Sequence, residues 1–536
     1  MMHVFRCLEA ALLSLLLCAC SVANNSFGRG KDISPYDFGL ASAKTGTERY
    51  DVLVRTHKMA VKTGVNVDYS GIATIELEIP KKASRIPLTS YNDFKGCVFL
   101  VKNMSRNCWL FEAVEKGTPI KVSKRMIDSG NFQSVNELKH GRALLIIEDE
   151  NLWVQKRKGY AYGHTRKDIL LIENGVAKNK VTMPYDNDYS SPKCTFIKVN
   201  GEPIVFKNLT IKRSPNCSFV TNVVNITGHD GVSIQNVSLI TPESKLNSDR
   251  GLILNNCTNV SFENVRIDGT YSQKDHYGYG VNMNNVWNFT AKKMYGNGNW
   301  GIFGNNNLNT VRVEDSKINR FDIHCYGRDI LFSKVDFFDL YNQFSSVYGT
   351  ITYDKCTFTD FVPVLNVGSY NSFVEHDVSF NDCVFNASRE NNCIFKITNL
   401  NQAPNTRHEL SEKKLPNVTI NNMTVNLTGK TKDFFLFYCK SSGTKVSNIG
   451  YFSRIDVNGL TFVSDDTDTF KEMSLSNIDL QTQRPVDCKM TNVEVVQPNR
   501  KVRSTSVKSS SVVLKANIPL KEGKVVMKNV KNLIQK

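Results

Sequence analysis

Between residues 250 and 328 the chain crowds together side chains that can move protons, hold anions and stack on flat apolar surfaces. The run Phe321-Asp-Ile-His-Cys-Tyr326 alternates apolar and polar, the period of a strand. Phe321, Ile323 and Cys325 are therefore expected to face inward, and Asp322, His324 and Tyr326 outward. Arg320 precedes this run and Arg328 follows it. Gly280-Val-Asn-Met-Asn284 likewise sends Asn282 and Asn284 outward, after a loop over 272–279 that carries His276, Tyr277 and Tyr279. Arg250 and Trp300 flank similar short apolar alternations. Histidine and tyrosine exchange protons when neighbours tune them. Arginine matches a planar carboxylate with two parallel hydrogen bonds. Amides and aromatic rings suit a sugar polymer, whose hydroxyls need fixed partners while its ring faces stack on aromatics. Taken singly, most of these positions read better as solvated strand faces or stacked asparagines.

What must position them is a repeat. An eight-residue pattern occurs as Ile204-Val-Phe-Lys-Asn-Leu-Thr-Ile211, Val232-Ser-Ile-Gln-Asn-Val-Ser-Leu239 and Val260-Ser-Phe-Glu-Asn-Val-Arg-Ile267. It resumes from Phe289, Val311, Ile330, Ile351, Val378, Val418, Ile455, Met473, Cys488 and Val525, thirteen copies in all. Positions one, three, six and eight are apolar almost throughout, so two short strands meet at a break of phase. The chain turns at positions four and five. Asparagine stands at position five in seven copies; it tolerates the left-handed conformation, and stacked side-chain amides can form a ladder. Copies recur at 15 to 29 residues, with three gaps of 37 to 40 that imply inserted loops. Such recurrence indicates a solenoid in which each coil covers its neighbour. Leucine-rich repeats would need a regular Leu pattern and a helical half, and a propeller would need four strands per blade.

These octamers resemble the second strand, asparagine corner and third strand of the pectate-lyase-like right-handed parallel β-helix, over about 166–536. The stretch 319–324 and the earlier Asp68-Tyr-Ser-Gly71 and Ile86-Pro-Leu-Thr-Ser90 resemble segments of tailspike-like proteins. The resemblance implies an all-β, single-stranded right-handed parallel β-helix and a ligand lying along the first strand of each coil. Those strands should be 251–254, 280–284, 300–303, 321–325 and 345–348. It also implies an N-terminal cap with irregular strands near 97–101 and 143–148. The division expected is a signal peptide over 1–19, a tether over 20–45, a cap over 46–165 and the helix body over 166–536.

The chain carries 67 Lys+Arg against 51 Asp+Glu, a net charge of +16, and a field of that sign favours an anionic partner. The Lys-rich stretch 501–536 accounts for part of that excess as ordinary solubilising charge. Nucleic acid fits the charge but no nucleic-acid-binding motif is present, so an acidic polysaccharide is the expected partner. One reading is a polysaccharide lyase acting on a uronic-acid polymer, with a glycosaminoglycan such as chondroitin, dermatan or hyaluronan favoured. It assigns His324 or Tyr279 to proton transfer, Arg320 and Arg250 to the uronate carboxylate, and His276, Tyr277, Asn282, Asn284, Trp300, Asp322, Tyr326 and Arg328 to substrate binding. A glycoside hydrolase remains open, with Asp322 paired to Asp275 or Asp249, as does a surface protein that only docks a glycan. The resemblance admits a Ca2+-dependent site, but the first strands carry no tight Asp cluster, so no metal and no cofactor are expected.

Met1 to Arg6 is short and positive, residues 8–17 are mostly apolar, and Leu17-Cys-Ala-Cys20 closes the segment. An apolar run of this length is too short to span a bilayer and fits a signal peptide. The ending resembles a bacterial lipobox, implying lipidation of Cys20; an ordinary secretory signal cut a few residues later is the alternative. The expectation is an exported bacterial lipoprotein at the outer membrane, cell surface or periplasm, monomeric and membrane-bound only through its lipid. Cys356, Cys383 and Cys488 fall on apolar positions of the repeat and read as free core thiols.

Overall fold

The computed structural model describes residues 31–535 apart from 81–82, 105–108, 155–163, 183–191, 215–221, 242–249, 270–278, 298–300, 325, 340, 346, 367–375, 388–391, 399–415, 428–432, 441–451, 465–471, 478–484, 497–511, 517 and 519. The expected signal peptide and Cys20 lie outside the described residues.

The octamer does what its phase break requires. In the strand Ile204–Arg213, positions one, three, six and eight are buried and the residues between them are half-exposed. Position five is left-handed in twelve of the thirteen copies: Asn208, Asn236, Asn264, Lys293, Asp315, Lys334, Lys355, Asp382, Asn422, Gly459, Asn492 and Asn529, with φ between 46° and 84°. The first residues of successive octamers pair in parallel without interruption, Ile204 on Val232, Val260, Phe289, Val311, Ile330, Ile351, Val378, Val418, Ile455 and Cys488. The expected amide ladder is present. Asn264 donates to Asn236 at 2.8 Å, Asn236 to Asn208 at 3.0 Å, and Asn208 to Asp93 at 2.8 Å. Inside, position three builds a column in which Phe332, Tyr353 and Phe380 stack at 5.3 and 5.0 Å between ring centres. The result is a right-handed parallel β-helix.

The exception is the copy at Met473. Its strand, Glu472–Ser476, stacks between Asp433–Lys440 and Val512–Lys515, on a different face from the octamers. Asn477 is not a corner there; it bridges to the backbone of Cys439, accepting at 2.6 Å and donating at 3.1 Å. Removing this copy merges the two shortest repeat spacings into one ordinary coil.

The first coils are built by Thr74–Ile79, Ile86–Pro87, Tyr91–Asp93, Val98–Met104 and Trp109–Val114. An amphipathic helix, Gly46–Thr63, packs on them, its start fixed by a capping box between Thr45 and Glu48. Between the strands Trp109–Val114 and Ile204–Arg213 the chain leaves the solenoid to form a second, five-stranded sheet whose ladders are antiparallel. Residues 97–101 therefore run in the main sheet, while 143–148 lie in the second sheet, on the solenoid's flank rather than over its end. The flank contact is apolar where Trp287 meets Leu144, Ile169, Leu171 and Ile197. It is polar at the corners: Asn285 donates to the Asp168 carbonyl at 3.2 Å and Thr182 to Asn307 at 2.8 Å. The eight described cysteines, Cys356, Cys383 and Cys488 among them, are buried free thiols.

Asn236 tests the corner. Asn236→Val places a β-branched residue at a φ of 52°, a strain of about 1–3 kcal/mol, and removes two ladder bonds. Asn236→Gly loses the bonds but keeps the conformation. Thermal melts should rank wild type above Asn236→Gly above Asn236→Val; equal melts for all three would show that the corner does not constrain the fold.

Candidate functional site

The strand Phe321–Ile323 and the opening residues of Val281–Lys292 and Phe303–Ile318 stack in register on the face made by the first strand of each coil, the first face, with Gly304 opposite Asp322 and Asn305 opposite Ile323. Phe321 and Ile323 enter the core as the alternation requires. Asp322 does not face solvent. It is fully buried, because neighbouring side chains close over it. Arg320 meets its Oδ2 through Nε at 2.7 Å and Nη2 at 2.5 Å. The Tyr279 hydroxyl donates to the same oxygen at 3.0 Å, and the Gln343 backbone N–H donates to Oδ1 at 2.9 Å. His324 Nε2 lies 2.9 Å from the Tyr279 hydroxyl and 3.4 Å from Asp322 Oδ2.

One proton assignment satisfies these contacts. Tyr279 donates to Asp322, and His324 Nε2–H donates to the Tyr279 oxygen. Burial opposes the charge on both members of the ion pair, but their mutual attraction prevails. Asp322 is held below the usual carboxylate range by the Arg320 guanidinium and the His324 contact, and the pKa of Arg320 is raised by Asp322. The Arg320 and Asp322 side chains are 3% and 0% exposed, whereas His324 is 19% exposed. The network is thus anchored inside and reaches solvent at the imidazole.

Two glycines seat it. A Cβ at Gly304 would stand 2.1 Å from the Tyr279 ring, and one at Gly301, whose φ is +137°, would stand 2.4 Å from Arg320 Cδ. Tyr341 completes the enclosure, its ring centre 4.4 Å from the guanidinium carbon of Arg320, a cation–π distance. Gly304, Gly301, Tyr341 and Gln343 are absent from the sequence-derived set. For Gly304 a signal existed: a glycine inside an alternating strand marks close approach by another group.

The structure thus brings together Tyr279, Arg320, Asp322 and His324 from the expected strip. It gives Arg320 a different task, since its guanidinium is buried against a protein carboxylate instead of facing a substrate's. Asn282 donates to the Gly304 carbonyl at 2.5 Å, and Asn284 joins a row of amides, donating to Asn255 at 3.0 Å and accepting from Asn306 at 2.8 Å. Tyr326 and Arg328 leave the strip because the chain turns a corner after His324. Gly327 and Arg328 pair with Leu308 and Asn309 on the next row, beneath the second sheet. Tyr326 is buried, its hydroxyl donating to the Lys167 carbonyl at 2.7 Å, and Arg328 donates to the Thr182 carbonyl at 3.4 Å. The strand expected over 345–348 is displaced likewise: Gln343–Phe344 lies on the first face, and Val347 already pairs with Gly327. His276, Tyr277, Trp300, Asp249 and Asp275 lie outside the described residues, as does the side chain of Arg250.

No protein-family model and no curated protein matches the chain. Solved structures do. The tailspike gp49 of Pseudomonas phage LKA1 aligns with a TM-score of 0.53 at 12% identity, over 87% of this chain and 83% of that one. The gp54 tailspike of Acinetobacter baumannii bacteriophage AP22, solved in complex with A. baumannii capsular saccharide, aligns with a TM-score of 0.53 at 11% identity, over 93% and 79%. At these identities the likeness is one of fold.

Asp322→Asn removes the carboxylate that neutralises the buried Arg320 guanidinium and should cost about 3–5 kcal/mol at neutral pH. Because the folded carboxyl titrates below its unfolded value of about 3.9, its stabilisation is complete above that pH and drains as pH falls through the folded value. Melting curves of wild type and Asp322→Asn should therefore converge as the pH drops below about 4. A gap that stays constant into acid would contradict the ion pair.

Proposed function

We propose that the chain is a polysaccharide-active enzyme of the cell envelope, working at the first face of its β-helix and cleaving an acidic, uronic-acid-containing polymer by β-elimination. The observation that carries this reading is the His324–Tyr279 contact, anchored on buried Asp322 and open to solvent at the imidazole. The fold supports it by analogy, since the AP22 tailspike of similar architecture was solved with a capsular saccharide. The basic net charge of +16 supports an anionic polymer, and a glycosaminoglycan such as chondroitin, dermatan or hyaluronan is the favoured class.

In the elimination, the imidazole takes the proton from C5 of the uronate. The C5–H electrons form the C4–C5 double bond as the bond from C4 to the glycosidic oxygen breaks. Tyr279 gives its proton to the leaving oxygen and recovers one from His324 Nε2, so the net change is one proton moved from C5 to that oxygen. Asp322 and Arg320 do not touch the sugar in this scheme; they hold Tyr279 and His324 in position, much as the third member of a catalytic triad does. Arg250 is assigned to the uronate carboxylate, the part that Arg320 is too buried to play. A hydrolase would need two carboxylates facing the sugar. Asp322, common to both candidate pairs, is fully buried and bonded to Arg320, which speaks against that reading.

The test is ultraviolet absorbance of unsaturated uronate while the protein, freed of its first 20 residues, is mixed with chondroitin, dermatan, hyaluronan, heparin, alginate and pectate. Absorbance should rise with one or two of them. His324→Ala and Tyr279→Phe should each lose about 10²–10⁴-fold in turnover while still binding the polymer. Reducing ends without absorbance would indicate hydrolysis, and binding without either product would indicate a glycan-docking protein.

A further inference from the structure

Parallel register makes a second place on the first face continuous with His324. Val114 pairs with Thr227, Thr227 with Asn255, Asn255 with Asn284 and Asn284 with Asn306; the next coil carries His324, adjoining Ile323, which pairs with Asn305. The row is rigid. Asn255 donates to Thr227 at 3.4 Å, Asn284 to Asn255 at 3.0 Å and Asn306 to Asn284 at 2.8 Å. Five steps separate its ends, about 24 Å at the spacing of neighbouring strands.

At the Val114 end lies an open groove of about 1000 Å3 between the helix Gly46–Thr63, the first coils and the segment joining the second sheet to the solenoid. Two of its lining residues, Val61 and Val114, are large apolar side chains left 50% and 41% exposed, among the few such in the described residues. Around them stand both cations and carboxylates, including Lys58, Lys198, Glu115 and Glu202. His229 lines it too and keeps a buried Nε2 without a hydrogen-bond partner among the described residues. Burial lowers the pKa of this imidazole. An apolar patch ringed by both donors and acceptors matches a sugar, which offers flat C–H faces and many hydroxyls, better than it matches a purely ionic or purely apolar ligand.

We infer that this groove is a distal saccharide subsite, holding a polymer chain that runs along the first face to His324. The inference rests on the reading of His324 as the chemical end of a glycan track. A polymer gripped about 24 Å from the cleavage point must extend at least that far from it on this side. Short oligosaccharides that occupy only the His324 end would forgo the groove.

The test compares wild type with Val61→Asp/Val114→Asp, and with Lys198→Glu as an independent surface variant, on polymer and on short oligosaccharides of the same polysaccharide. The expected result is a drop of about tenfold in kcat/KM on polymer for the double variant, equivalent to about 1.4 kcal/mol, with turnover of short oligosaccharides unchanged. Wild-type values on both substrates would overturn the subsite and leave the reading of His324 intact. Should wild type bind polymer without turning it over, calorimetric titration decides: weaker binding by the double variant supports the subsite while the lyase reading falls, and unchanged binding sinks both. Absence of any polysaccharide binding by wild type also overturns both.

Discussion

Each regular coil of this molecule leaves its second strand and enters its third through one residue held in the left-handed conformation, and that residue sits directly above its counterpart in the coil below. The constraint is local in cause and global in effect. A side chain that adopts positive φ at little cost, most often asparagine, fixes where the strand ends. Its amide then reaches the next amide along the axis, so that Asp93, Asn208, Asn236 and Asn264 form one chain of hydrogen bonds. Because strand side chains alternate with a period of two, a slip of one residue at any corner would turn that strand's core outward. The corners therefore stabilise the register, and the register decides which side chains can meet.

The site follows from that register. Tyr279 lies 43 and 45 residues before Asp322 and His324, yet they touch. Glycine at 304 removes the Cβ that would otherwise occupy the Tyr279 ring's place. Strands of a solenoid are stiff supports compared with loops, and the proposed proton transfer would gain from a pair held in place before substrate arrives. The second sheet adds to this rigidity from the side, capping the corner asparagines Asn285 and Asn307 and burying Tyr326.

Much of this was legible in the sequence because it is periodic. The octamer specified the corners, the inward residues and the solenoid; alternation within 321–326 brought Asp322 and His324 into the candidate set, and the residues preceding the runs 321–326 and 280–284 brought Arg320 and Tyr279. What alternation cannot show is where a strand stops. Tyr326 and Arg328 keep the phase of His324 but lie past a corner, and Met473 fits the octamer while standing on another face. Alternation is equally silent about what covers an outward residue. Asp322 points away from the core and is nonetheless fully buried, because Arg320 two residues before it and Tyr279 from another coil fold over it. Tyr341 and Gln343 enter the site through contacts that one strand's pattern does not encode.

The buried ion pair is the least economical part of this arrangement if stability were its purpose. Removing two charges from water costs several kcal/mol per ion, and apolar residues of similar volume often serve the fold as well or better. Arg320 and Asp322 are buried together even so, at the one point of the described first face where a histidine and a tyrosine share a hydrogen bond. An ion pair has a property that an apolar plug lacks, which is direction. Asp322 Oδ2 accepts from Arg320 and from Tyr279 at once, so the phenol is aimed and its proton given a fixed resting place. Arg320 keeps that carboxylate ionised despite its burial, which is the condition for it to go on accepting. The pair is best understood as orientation bought at the expense of stability. In the proposed elimination it also explains why a cation other than Arg320 is assigned to the uronate carboxylate: Arg320 is already committed to Asp322.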